Sequence, residues 1–371
     1  MKKLLLMVFL VSLFADAQEL ALVREKKQYG YMSTSGQMAI EPQFRNASGF
    51  SDGLAAVEKD RKWGFIDVKG NWVIEPRFNR AKDFSDGIAV VQIDREWVYI
   101  NKNGETPFRP ETDKIYDFSN GVAFIRQDRK VGFINNRGNV VLPPTYDVIR
   151  DFIGNYARVR NDGKWGIIDK SGKVVIPVEY DDLGNLHKNV TFAKKGDEFG
   201  LIINNKFQVI EGATRIWDFH TQDLTYAQKD GKIGYINLKG DWVIEPKFDR
   251  GRAFAQNLAP VQQDGSWGYI NTSGNFVIEP TYSDAEIFSP DGLAPVKIGR
   301  DWGFINTKGE LVIKAEYQIT AASLTGFFGS AEKGFINGFA RVGHKKKWGF
   351  LKTDGSVLGN KWFEGVELFQ K

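Results

Sequence analysis

KWGFIDVKGNWVIEP occupies residues 62–76, SWGYINTSGNFVIEP residues 266–280 and DWGFINTKGELVI residues 301–313. The same sentence is written again and again along one chain, so an internal repeat has to be read before any single element. With the Trp-Gly pair as marker, the copies fall at Trp63, Trp165, Trp267, Trp302 and Trp348. Tyr29, Trp97, Val131, Phe199 and Ile233 fill the same slot elsewhere. From Tyr29 to Trp267 the spacing is 34 residues seven times in succession, then 35, then 46. Ten units result, with about twelve extra residues within 318–338.

A 34-residue period is also that of a tetratricopeptide helix pair, and the interior of the unit decides between them. Seven residues after the marker stands a glycine: Gly36, Gly70, Gly104, Gly138, Gly172, Gly240, Gly274, Gly309 and Gly355, with Lys206 as the exception. In the middle of a helix each would cost roughly 1 kcal/mol. Asp or Asn three residues earlier, as at Asp67, Asn101 and Asn271, is instead the chemistry of a tight turn whose last residue takes positive φ. The unit therefore reads as three short strands: one like Leu258–Val261, the Trp-Gly run, and a Val-Ile run ending near Pro76, Pro246 or Pro280. A connector follows with apolar residues at every third position (Phe78, Ala81, Phe84), which predicts a turn or a short tight helix.

The fold class expected is all-β: a tandem array of ten three-stranded antiparallel units over residues 18–371. One meander cannot cover its own faces, so stacked neighbours must do it. An open, superhelical solenoid is favoured, because ten copies exceed the usual four to eight blades of a propeller. A closed propeller-like ring is the alternative. The marker slot accepts Val, Phe and Ile as readily as Trp, so it is a packing position, and the Gly after it allows close approach of backbone.

Composition narrows the function. The chain has 371 residues, 42% apolar and 13% aromatic, with net charge +4 and both signs interspersed. No clustered basic patch points to nucleic acid, and Lys345-Lys346-Lys347 reads as a solvated hairpin tip. There is no cysteine, which excludes disulfides and thiolate chemistry. Residues 1–17, MKKLLLMVFLVSLFADA, have the basic, apolar and small-residue layout of a secretory signal, with cleavage expected after Ala17. The apolar run is too short to span a bilayer comfortably. Export is expected, to the periplasm rather than the medium, as a monomer without a membrane span.

The pattern KWGFIDxxGxxVIxPxFDxAxxFxxGLAxV, spread over residues 62–91 and 266–297, resembles the WG repeat family of bacterial β-repeat proteins. The resemblance covers about residues 19–371. It implies tandem β-repeats and no chemistry, and it offers no catalytic residues. Two stretches depart from it: residues 106–115 lose the Val-Ile-x-Pro strand, and residues 183–226 lose the turn Gly and the Gly-Leu-Ala strand.

His187, His220 and His344 lie in different units at no metal-ligand spacing, so no metal, cofactor or catalytic residue is expected. The unrepeated features are the binding candidates: Trp217 and His220 in the weakest unit, and Phe327 and Phe328 in the insertion. The expected function is a non-enzymatic binding or scaffold protein of the cell envelope, its partner a protein or an envelope glycan. The rivals are a hydrolase with its site at 183–226 or 318–338, and a purely structural spacer.

Overall fold

A computed structural model describes residues 19–320 and 333–370. Residues 1–17, Phe327 and Phe328 lie outside them. Ten small antiparallel sheets stand in a ring, and the described residues include no α-helix. None of their helices is long and apolar enough to cross a membrane.

In eight of the ten units the three strands appear where the sequence puts them, for example Leu258–Gln263, Ser266–Asn271 and Phe276–Tyr282. In eight units the first two are joined by two-residue turns with positive φ at both positions, such as Asp60 (51°) and Arg61 (63°). These mirror-image turns match the twist of the strands they join. Lys345 and Lys346 form one of them, at 48° and 66°, and are exposed. In the next turn Asp67 accepts the N–H groups of Lys69 and Asn71, both at 2.9 Å, while Gly70 takes φ 86°.

The third strand does not stop at its proline. It runs Trp72–Phe78, bulged so that Ile74 pairs with Phe65 and Phe78 with Trp63. Pro76 sits in the bulge, where no ladder N–H is needed. The bulged backbone crosses over the marker glycine. A Cβ on Gly64 would lie 2.5 Å from the Ile74 carbonyl oxygen and 2.8 Å from the Pro76 nitrogen, so only glycine fits.

The connector differs from its expected form. It is a short strand, Arg80–Ala81 or Val148–Ile149, and it joins the following sheet. Asn79 N–H to Gln92 O and Lys82 N–H to Val90 O extend the same ladder on either side. A complete sheet is therefore four-stranded, with an edge strand supplied by the preceding unit, as in the sheet that contains Lys164–Asp169.

The same rule corrects the open solenoid. The last connector, Gly365–Gln370, pairs antiparallel with the first strand, Leu20–Glu25. Phe350, Leu358, Phe363 and Val366 then share one core with Ala21, Val23 and Met32. The array closes as the propeller-like ring because its tenth connector has no eleventh sheet and the first sheet lacks a connector. Closure also removes the two free sheet edges that an open array would leave.

In eight units the core is an aromatic pair between the second strand and the connector. Examples are Phe65–Phe84 at 4.7 Å and Tyr235–Phe254 at 4.8 Å between ring centroids. Each buried ring contributes roughly 1.5–3 kcal/mol. The ninth unit keeps the pair as Phe304–Phe335 at 5.1 Å, so its extra residues precede Phe335 in the sequence.

Closure gives a direct test. Val23 faces Val366 across the closing strands, and the chain has no native thiols. A Val23→Cys/Val366→Cys chain is expected to oxidise within one molecule. The product should show reduction-reversible mobility on a denaturing gel and a gain of up to about 5 kcal/mol in the chain-entropy picture. Two thiols that stay titratable in the folded monomer under oxidising conditions would point to an open array.

Candidate functional site

Connectors of successive sheets lie side by side and exchange polar contacts. The Lys82 ammonium meets the Asp117 carboxylate at 2.9 Å. Arg252 reaches Asp284 and Glu286, both at 3.1 Å, and Lys333 reaches Glu286 at 2.8 Å. The third residue of each first strand faces this hoop. In sequence order that slot holds Leu22, Ala56, Val90, Phe124, Arg158, Phe192, Tyr226, Pro260, Pro295 and Arg341. Most are apolar, and two are arginine.

The two arginines are treated differently. Arg341 is buried, meets the Glu367 carboxylate at 3.1 Å and donates to the Thr320 carbonyl at 3.0 Å. Arg158 donates to the Leu183 carbonyl at 2.8 Å, and its Nε, like that of Arg341, is buried without a partner. Among the described residues no carboxylate comes within ion-pair distance of it. Arg150 and Arg160 are likewise without a carboxylate partner, and all three guanidiniums lie 5.5–5.8 Å from the centroid of Trp165. Cation–π attraction holds them there, while Asp147 acts on Arg160 and Asp218 on Arg158 only at longer range.

Arg158 opens into a cavity of ≈ 550 Å³ that spans three units, bounded also by Asp182, Phe192, Arg215, Asp218 and Tyr226. Trp217 and His220 line the same cavity. The structure thus brings these two candidates together in roles the sequence does not separate. Trp217 stacks on Tyr226 at 4.6 Å, and the Arg215 guanidinium lies 4.6 Å from its centroid. The indole is a packed wall. The Thr225 hydroxyl pins the chain behind it, at 2.9 Å from the carbonyls of both Trp217 and Asp218. His220 is exposed and touches only the Thr221 hydroxyl, at 3.4 Å. Phe219 between them is buried as a core anchor, with His187 stacked on it at 5.8 Å.

Asp218 accepts the Asn185 backbone N–H at 2.8 Å and its side-chain amide at 2.9 Å. Burial nonetheless pushes its carboxyl above the usual carboxylate range, against the pull of those hydrogen bonds and of Arg158. Among the described residues, no three His, Asp or Glu side chains converge on a point.

Sequence reasoning missed Arg158, Arg215 and Tyr226. The unit around Trp165 keeps the Trp-Gly pair and the turn glycine, so Arg158 is exposed by the column of first-strand residues, read unit against unit.

The WG containing repeat matches residues 29–63, 63–97, 99–130, 132–165, 165–199, 233–267, 267–300 and 302–319. No curated protein sequence matches the chain. Among solved structures, a eukaryotic initiation factor is 12% identical with a TM-score of 0.52, covering 95% of this chain and 98% of its own. Apo AztD from Citrobacter koseri is 12% identical with a TM-score of 0.33, covering 94% and 96%. At such identity the first shows a shared fold alone.

The raised Asp218 carboxyl fixes the sign of a pH effect. A raised folded-state value favours folding below the ordinary carboxylate range, and that contribution is lost as pH rises through the folded value. Asp218→Asn, with the Asn185 amide turned to complement it, is therefore expected to raise the melting temperature relative to the parent near neutral pH. The gain should shrink as pH falls below the carboxylate range. Thermal unfolding of both chains across that range checks it, and a gain that grows on acidification would contradict the assignment.

Proposed function

This chain belongs to the WG containing repeat family, and we propose that it is an exported, non-enzymatic binding protein that holds an anionic group of its partner in the cavity around Arg158. The observation that carries this reading is the contrast within one slot. Arg341 has Glu367 and Arg158 has no carboxylate. Arg158 is half-buried and feels Asp218 only at longer range, so its charge is incompletely balanced, and a partner's carboxylate or phosphate, able to accept its fork of N–H groups, would complete that balance. Arg215, beside Trp217, supplies a second charge on the same cavity.

Two features support binding over hydrolysis. His220 meets only its neighbour Thr221, and Asp218 is engaged by Asn185. Acyl transfer needs a nucleophile, a base and oxyanion donors converging on one atom. The sugar-stacking variety of glycan recognition is disfavoured, since Trp217 presents no bare face. Export rests on the layout of residues 1–17, and the periplasm is the compartment proposed.

Capture from envelope extracts on immobilised protein tests the reading at two salt concentrations, with Arg158→Leu and with Trp217→Ala/His220→Ala. An acidic partner is expected to be retained by the parent and weakened by salt. Arg158→Leu should reduce affinity by about 1.5–3 kcal/mol, the usual worth of a hydrogen bond to a charged group. Capture indifferent to both salt and Arg158→Leu, or substrate turnover that requires His220, would defeat it.

A further inference from the structure

In nine units the backbone of the marker residue is paired to the third strand or the segment that replaces it. Trp63 pairs with Phe78, Trp165 with Tyr180 and Trp267 with Tyr282. In the irregular sixth and tenth units the bonds are Ile210 N–H to Phe199 O and Trp348 N–H to Phe363 O. The third unit is the exception. Its sheet ends at the strand Glu96–Asn101, and no backbone bond joins Trp97 or Tyr99 to residues 106–112.

The direction of those groups follows from the hairpin. Ile93 and Glu96 flank a two-residue turn, so Glu96, Val98 and Ile100 bond inward to the first strand. The N–H and C=O of Trp97 and Tyr99 point the other way, to an unoccupied edge. Both residues are partly or fully buried, so these groups are not simply bathed in solvent, and unpaired backbone in such a place is costly.

The reason for the gap is local. Residues 106–112, TPFRPET, stand where the second unit has WVIEPRF at 72–78. Phe108 takes the Ile74 position by side chain alone, 5.3 Å from Tyr99 and 6.2 Å from Phe118 between ring centroids. Thr112, in place of Phe78, is drawn away to the next sheet, where its hydroxyl accepts the Arg126 N–H at 2.9 Å and donates to the Lys114 carbonyl at 2.8 Å. A groove of ≈ 310 Å³ remains between Trp97, Tyr99, Phe108, Pro110 and Ile115. Among the described residues an exposed ion pair spans it, Arg109 to Glu96 at 3.4 Å, and such pairs are worth about 0–1 kcal/mol.

We propose that the open edge at Trp97–Tyr99 is a peptide-docking site, which an extended segment of a partner protein completes as the missing third strand. The other units show what this edge accepts: an antiparallel strand with one apolar side chain turned to the aromatic floor. Main-chain bonds to Trp97 and Tyr99 would give affinity, and the pocket beside Tyr99, Phe108 and Ile115 would select the side chain. The site is separate from the cavity around Arg158 and does not depend on it.

The probe is the capped heptapeptide WVIEPKF, the chain's own residues 242–248. With tryptophan and tyrosine selectively labelled with ¹⁵N in the full chain, the Trp97 and Tyr99 amides are expected to exchange at least about tenfold faster than Trp63 and Trp165, as unpaired edge groups do. Adding peptide should slow them without slowing Trp63. A peptide methylated on the isoleucine nitrogen, which lacks the ladder donor, should not do so. Thr106→Trp/Pro107→Val/Thr112→Phe restores the strand in cis and should protect both amides with no peptide present and abolish binding. The proposal is overturned if Trp97 is as protected as Trp63 in the free native chain, if the methylated and parent peptides act alike, or if the parent peptide leaves both amides unchanged at millimolar concentration. The native-chain and peptide arms decide it even where the restored variant does not fold.

Discussion

Everything in this ring depends on a strand that each unit gives away. A unit makes three strands of its own and passes its connector to the next sheet, as Arg80–Ala81 passes to Ile88–Ile93. No unit is complete without its predecessor, and its own apolar face is covered only by its successor. Stability in such an array is a sum over neighbours, and the closing pair of Gly365–Gln370 with Leu20–Glu25 gives the first sheet the same predecessor as all the others. The aromatic pairs add to this, because the connector carries one ring of each pair into the space between two sheets.

That dependence explains the glycines and the turns. The glycine after each marker is needed because the third strand bulges across it, with the Ile74 carbonyl in the place a Cβ would take. The turn glycine has a second neighbour in the preceding unit: beside Gly274 lies Ile244, and beside Gly309 lies Ile278. Gly36 finds its counterpart at Leu358 and Gly359, from the far end of the chain. Local turn chemistry and ring closure are thus met by the same residues.

The unit was legible in the sequence because every copy repeats its constraints. Strand positions, the Asx-supported turn and the reason for Trp-Gly all follow from residues that recur. The ring was not legible from the period, since regular spacing serves a solenoid equally well. The deciding fact is which strand the last connector meets, and Phe363, Val366 and Phe369 have connector spacing without naming a partner. The connector itself was mistaken for a helical turn because its ladder lasts two residues before Phe84 turns inward. At the cavity, Trp217 and His220 stood out by breaking the pattern. Arg158 did not, because it replaces an apolar residue inside a unit that keeps the Trp-Gly pair and the turn glycine.

Irregularity has a different meaning in a closed ring than in a single sheet. Each sheet is gripped from both sides, so one missing strand does not expose the core. Around residues 106–112 the lost ladder bonds are offset by Phe108 packing against Tyr99 and Phe118. The fold can therefore carry a sheet edge or an arginine without an ion pair where an isolated domain would not. Arg341 shows how this framework neutralises a guanidinium when nothing else will, by placing Glu367 on the adjoining connector. The corresponding connector position beside Arg158 is Gly184, which has no side chain to offer. A Cβ there would run into the Asp218 carboxylate, so the glycine makes room for an acid that feels the Arg158 charge without pairing with it.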